Sequence, residues 1–304
     1  MRIDKVLATL LPNISRKKIQ TDLKNGNILI ENKIWLPKKK IFPQNNNNIL
    51  NIRIQKNTKS SKDMRQLIPI NILFEDENIL VINKSSGLVV HPGSGNENGT
   101  LLNGLLYYLP ILSKLPRAGI IHRLDKNTTG VMIVAKNIKI QNHLSLMLKK
   151  RNISRSYIAI CCGNIPFGGT ITTQIGRHPK NRIKMAVIDD PDKGKKAITH
   201  FNIIKRYNLY TYIQVKLETG RTHQIRVHLS HIGYPIVGDT LYGASYLYKK
   251  KKKNIKSSLF LNMFKRQALH AFELSFFYPF THHKVKFIAP LPNDMKQLFS
   301  IISK

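Results

Sequence analysis

Asp125 lies in a polar loop, His122-Arg123-Leu124-Asp125-Lys126-Asn127-Thr128-Thr129, between the apolar runs Ala118–Ile121 and Gly130–Ala135. Buried flanks of this kind hold a loop rigidly, and side chains that do acid–base or nucleophilic chemistry are often carried on such loops. A lone Asp in a turn is more often an acceptor for its own backbone, so the loop alone does not establish a catalytic role. An ionised carboxylate in a closed pocket also needs a partner. Arg221 is a candidate. It stands just before a helix expected to begin near Thr222, at the positive end of the dipole, where a cation is disfavoured unless it holds an anion. That anion could be a phosphate, a structural carboxylate or Asp125.

Other groups are weaker signals. Tyr157 falls in a strand-like run, where tyrosine is more often core than catalytic. His223, His228 and His231 suggest a metal, but no carboxylate or cysteine completes a shell, so RNA contact or packing is expected and no metal. Gly93, Gly95 and Gly99 give G-x-G-x-x-x-G, one residue off the dinucleotide fingerprint. No phosphate-binding G-x-x-x-x-G-K-[ST] run occurs.

The elements that must position these residues follow from periodicity. Apolar residues at Ile3, Val6, Leu7 and Leu10 predict a short helix ending before Pro12. Ser15 fits an N-cap, Ile19 and Leu23 share one face of a second helix, and Gly26 ends it. Strands are expected at 28–30 and 48–54. Arg16, Lys17, Lys18 and Lys24 on the second helix, with Lys38, Lys39 and Lys40 after it, make two basic clusters suited to phosphate contact. Residues 1–54 thus read as a small unit and 55–68 as a linker. Residues 69–304 read as a larger domain with strands near 79–82, 130–135, 156–161, 197–206 and 210–217. Its helices are expected at 100–109, 137–150 and 222–232.

Three blocks carry a resemblance. HRLDKNTTG, from His122, is similar to the signature loop of the pseudouridine synthases that modify large ribosomal and transfer RNA. LETGRTHQIRVHLSHIGYPIVGDTLYG, from Leu217 to Gly243, and NKSSGLVVHPGSGNENGTLLNGLLYYLP, from Asn83 to Pro110, resemble two further blocks of that family in the same order and spacing. The segments VVHPGSGNENGT, LPRAGIIHRLD and RHPKNRIKMAV are similar to its large-subunit rRNA branch, which acts on the helix 69 stem-loop. The N-terminal unit resembles the alpha-L RNA-binding domain, with Ser15, Arg16 and Gly26 in place. Asn127 stands where many relatives have Asp, and Ser85 where they have Pro.

The resemblance implies an α+β fold: a mixed, largely antiparallel sheet with flanking helices, plus a small α/β N-terminal RNA-binding domain. It makes Asp125 catalytic, assigns Arg221 to it as counter-ion, and packs Tyr157 on the target base. Arg123 would fill the space the base vacates, although a phosphate contact is its rival role. His91, His122 and Lys126 would join it at the substrate. Turning uridine into pseudouridine breaks N1–C1′ and rejoins the base through C5, with no redox change, so no cofactor is expected. The base must first leave its stack, at a cost of a few kcal/mol.

The 304 residues carry 50 Lys+Arg against 16 Asp+Glu, a formal net charge of +34. A field of that sign implies a polyanionic partner, a nucleic acid ahead of an anionic membrane surface; with the resemblance, large-subunit rRNA or the assembling large subunit is expected. The lysine run 249–253 would add unspecific affinity. Cys161 and Cys162 are adjacent and point to opposite strand faces, which excludes an ordinary disulfide between them and fits reduced thiols. No apolar run suits a signal peptide or a membrane span. A cytoplasmic monomer without a membrane or obligate protein partner is expected. A catalytically silent RNA-binding or ribosome-assembly protein on the same fold is the competing class.

Overall fold

The computed structural model describes residues 2–11, 14, 16–40, 51–54, 64–93, 95–190, 192–243, 264–281 and 283–303. Ser15, the first part of the expected 48–54 strand and the 249–253 lysine run lie outside the described residues. The chain divides into two compact units, Met1–Asp63 and Met64–Lys304.

In the smaller unit, helices α1 (Ile3–Leu10) and α2 (Arg16–Lys24) bury Ile3, Leu7, Ile19 and Leu23. Strands β1 (Ile28–Ile30), β2 (Lys33–Ile34) and β3 (Ile52–Ile54) form an antiparallel sheet in the order β2-β1-β3, and Ile28 and Ile30 complete the core. Gly26, at φ 72°, ends α2 in the left-handed conformation that a C′ position favours. Asp4 is fully buried and accepts from Arg2, Arg16 and Gln20. Burial alone would raise its carboxyl, but those hydrogen bonds and the Arg16 charge hold it at about 2.

The larger unit opens with β4 (Ile72–Glu75) and β5 (Ile79–Lys84), then α3 (Leu101–Tyr108). Next come β6 (Thr129–Ala135), α4 (Ile138–Lys149), β7 (Ser154–Cys162), β8 (Gly169–Arg177) and β9 (Met185–Val187). After β10 (Lys195–Arg206), β11 (Tyr210–Leu217) and α5 (Gln224–His231), the chain ends in β12 (Leu269–Phe277), β13 (Lys284–Ile288) and α6 (Asn293–Ile302). Its sheet runs β4-β5-β6-β12-β7-β11-β10-β8-β9, with β13 also on β12. Each pairing is antiparallel except β6 with β12. This is the expected α+β architecture.

Residues 64–68, read as linker, instead belong to the larger unit. The side-chain amide of buried Asn103 donates to the Met64 carbonyl at 2.5 Å, and the Gln66 N–H donates to the Asn103 carbonyl at 3.2 Å. The apolar runs of β5, β6 and β7 form the middle of the core, and Cys161 and Cys162 are both buried. Asn137 caps α4 by accepting from the Ile140 N–H at 3.0 Å.

Candidate active site

The loop that carries Asp125 is anchored from below by two buried cations. Lys84, at the end of β5, is 2 % exposed and donates to the carbonyls of Ser85 (2.7 Å), Leu88 (2.9 Å) and Lys126 (2.9 Å). Arg266 donates to the Asn127 carbonyl at 3.2 Å. The two sequence departures, Ser85 and Asn127, thus meet these cations through their backbone, which any side chain leaves available. Thr128 N–H closes the turn on the Asp125 carbonyl at 3.1 Å, and Leu124 is buried beneath it. Burial pulls the Lys84 ammonium down to about 7, against the opposing pull of Asp125.

Asp125 faces a cleft of about 900 Å³ whose wall also includes His91, Arg123, Tyr157, His223 and Arg226. Its Oδ2 accepts from Arg226 Nη1 at 3.0 Å. Arg226 is fixed from behind by Asp239, which accepts from its Nε at 2.7 Å and its Nη2 at 2.9 Å. Asp239 is fully buried, and its Oδ1 also accepts from the N–H groups of Leu241 and Tyr242. Burial works against the Arg226 charge, but the two carboxylates outweigh it and raise its pKa. The arrangement leaves the Asp125 carboxylate open to the cleft with a counter-ion that cannot swing away.

The counter-ion expectation is therefore corrected: Arg226 holds Asp125, not Arg221. Arg221 lines the same cleft, but it is exposed and its Nε donates to the Lys196 carbonyl at 3.0 Å. The helix starts at Gln224, later than expected, and the intervening turn swings Arg221 outward. Residues 224–229 of α5 are all buried. An apolar stripe at Ile225, Leu229 and Ile232 does not reveal that the rest of the helix is inside as well. The available signal was an arginine set between Ile225 and Val227 in a short helix, followed by Asp239 in Gly238-Asp239-Thr240.

The structure brings other expected residues to the cleft. Tyr157 on β7 is buried; burial raises its hydroxyl pKa, Arg155 opposes this and Asp125 adds to it. His122 accepts from the Ile133 N–H at its Nε2 (3.1 Å), and desolvation, with the Arg155 charge, pushes its imidazole down to about 3. It is a neutral wall of the site at physiological pH. Burial, then Arg117 and Arg123, lowers His91. Arg123 is exposed on the cleft wall. Lys126 does not line it; its backbone serves Lys84 and its side chain is exposed.

His223 holds a left-handed backbone at φ 56°. Its Nδ1 is 2.8 Å from Tyr242 Oη, and its Nε2 is 3.9 Å from Asp125 Oδ1. His228 is buried between Thr173 (2.9 Å) and Thr199 (2.8 Å), so the packing alternative holds for it. In the smaller unit, Arg16 is spent on Asp4, Lys39 lies over the Trp35 ring at 3.8 Å, and Lys38 and Lys40 are exposed. The side chains of Lys17 and Lys18 lie outside what is described.

Residues 78–231, including the whole Asp125 loop and α5, match the RNA pseudouridylate synthase family. The ribosomal large subunit pseudouridine synthase D of Neisseria meningitidis serogroup A is 43 % identical over 99 % of this chain and 78 % of that protein. The protein of the same name from Pseudomonas aeruginosa is 42 % identical over 99 % of this chain and 92 % of its own length. Among solved structures, human RNA Pseudouridylate Synthase Domain Containing 4 shares the fold, with a TM-score of 0.58, 24 % identity, and coverage of 77 % of this chain and 93 % of that one. The chain belongs to the RNA pseudouridylate synthase family and is an enzyme of it rather than a catalytically silent RNA binder.

Proposed function

We propose that this enzyme isomerises uridines of large-subunit rRNA, in the helix 69 stem-loop, with Asp125 as the catalytic carboxylate. The observation that carries the assignment is the pairing of Asp125 with Arg226, itself clamped by buried Asp239. This keeps the carboxylate paired at the mouth of a cleft without consuming it. The relatives' names supply the substrate class.

The target uridine leaves its stack and enters the cleft, and Arg123 takes the vacated place. Its base lies against Tyr157. The carboxylate then either adds to C1′ or removes a ribose proton as N1–C1′ breaks, and N1 keeps the bond's electron pair. The uracil turns and C5 bonds to C1′ as the Asp125–C1′ ester bond breaks and frees the carboxylate, or, on the second route, as Asp125 returns the proton to the ribose. The C5 proton passes to water while N1 gains one. Atoms and electrons balance without an oxidant or reductant. His91 and His122 shape the wall, and Arg221 and Lys126 contact RNA from the edge. The N-terminal unit binds RNA through Lys17, Lys18 and Lys38–Lys40, and the enzyme works as a cytoplasmic monomer.

Tritium release from rRNA labelled at uridine C5 tests the proposal. Wild type should release tritium and Asp125→Asn should release none while melting at a similar temperature. Equal release from both would sink the catalytic assignment, and pseudouridine mapped outside helix 69 would sink the site assignment.

A further inference from the structure

Among the described residues, three buried side-chain polar atoms lack a hydrogen-bond partner: Arg65 Nε, Gln141 Oε1 and Arg155 Nε. Of these residues only Arg155 lines the cleft. The other cleft cations that make side-chain bonds are committed more fully. Arg226 serves two carboxylates, Arg151 holds Glu218 at 2.5 Å, and Arg221 bonds a backbone carbonyl. The Glu218 carboxylate is already taken by Arg151 and His200. Arg155 makes one long bond, from Nη2 to the Glu218 carbonyl at 3.3 Å. A half-buried guanidinium with donors to spare is costly unless an anion arrives to use them.

Its surroundings leave room for one. Arg155 is two residues before Tyr157 on β7, so both side chains project from the same face of the strand. Its Nη1 lies against Gly220, where a Cβ would come within 2.7 Å of it. Gly220 is exposed and has no left-handed φ, so the space beside Nη1, rather than backbone freedom, accounts for the missing side chain. Arg155 also carries its charge toward the base pocket, since it opposes the rise of Tyr157 and depresses His122.

We propose that Arg155, cradled by Gly220, binds a backbone phosphate of the RNA strand beside the target nucleotide. A nucleotide whose base lies on Tyr157 and whose C1′ faces Asp125 carries its phosphates outward, toward the half-exposed wall where Arg155 stands. The outer edge of the guanidinium, Nη1 beside the second N–H of Nη2, suits two phosphate oxygens at once. The inference rests on the RNA-substrate proposal, but it requires neither helix 69 nor the chemical role of Asp125.

The test uses the full-length enzyme and an in vitro transcript of large-subunit rRNA, with Kd measured against salt and turnover measured at saturating RNA. Arg155→Gln should weaken binding about 10- to 100-fold. It should flatten the slope of log K against log salt by about 0.7, the share of one single-strand phosphate. Its kcat should stay near wild type. Arg155→Lys should keep most of the slope and lose part of the affinity. Gly220→Ala keeps the charge but pushes the guanidinium aside. It should weaken binding in the wild-type background and change nothing further in Arg155→Gln. An unchanged slope with a fall in kcat would overturn the phosphate assignment in favour of contact with the reacting base. Unchanged Kd, slope and kcat would show that Arg155 has no ligand. If Arg155→Gln fails to fold, the Gly220→Ala measurement decides, and unchanged binding there rejects the proposal. Failure of the RNA-substrate proposal looks different: wild type itself would then neither bind nor turn over the transcript.

Discussion

Arg226 sets the electrostatics of the cleft, because it joins an open carboxylate to a buried one. Removing it leaves Asp239 charged with no exposure to water. Arg226→Met should therefore cost about 3–5 kcal/mol of stability, the usual loss when one partner of a buried pair is deleted. The loss would be read as a lower urea midpoint, together with loss of tritium release. Arg226→Lys should retain more stability yet still lose turnover, because one ammonium cannot grip Asp239 in two places and reach Asp125. A variant that melts like wild type would refute the clamp. Asp125 was legible in the sequence because its motif is local, seated in a short polar loop between apolar runs. Arg226 was not, since its role needs Asp239 thirteen residues on and the knowledge that α5 is buried on all sides. Lys84 was missed for a similar reason: a lysine closing an apolar strand looks like a strand end reaching solvent. Burial lowers its pKa from 10.5 to about 7. Between about pH 7 and 10.5 the unfolded chain thus binds more protons at this residue than the folded one, and the group's contribution to stability rises with pH. Below about 7 the full penalty is present. Lys84→Met should abolish that rise, and parallel urea-stability profiles for the two proteins across this window would contradict it.

At the scale of elements, the catalytic loop depends on where β6 meets β12. Their parallel contact pairs Thr129 with His270 and Gly130 with Ala271. Gly130 has φ 117°, and a Cβ there would lie 2.1 Å from the Ala271 carbonyl oxygen. Only glycine allows the strands to approach so closely immediately after the Asp125 loop. Gly130→Ala should cost about 2–5 kcal/mol through overpacking and backbone strain. Because the displacement would begin five residues from Asp125, kcat should fall as well. Thermal unfolding and C5 tritium release measure the two effects, and a variant matching wild type in both would show that the contact can relax. Strands β5, β6, β7, β10 and β11 and helices α1 to α5 were readable from periodicity. Strands β4, β8, β9, β12 and β13 and helix α6 were not. In β13, Lys-Val-Lys-Phe-Ile, no residue is fully buried, and in β8 the threonines carry the pairing with little apolar signal. Such strands are fixed by their partners across the sheet, which a local window does not contain.

At the scale of the molecule, the net charge of +34 is shared between two units with separate cores. Among the described residues, the larger unit contains every one that lines the cleft, and it has a core of its own. Cutting the chain before Met64 keeps that core and the Met64 and Gln66 hydrogen bonds to Asn103. The larger unit alone should therefore unfold cooperatively and retain turnover at high RNA concentration. It loses the exposed Lys38 and Lys40 and the other basic residues of the smaller unit, each a candidate phosphate contact. Every phosphate given up should flatten the salt dependence of rRNA binding by about 0.7 to 0.9 in log–log slope. A shortened protein that binds rRNA with unchanged affinity and slope would show that the smaller unit contributes no contact. One that loses turnover even at saturating RNA would show that this unit helps to place the uridine and does more than hold the RNA nearby.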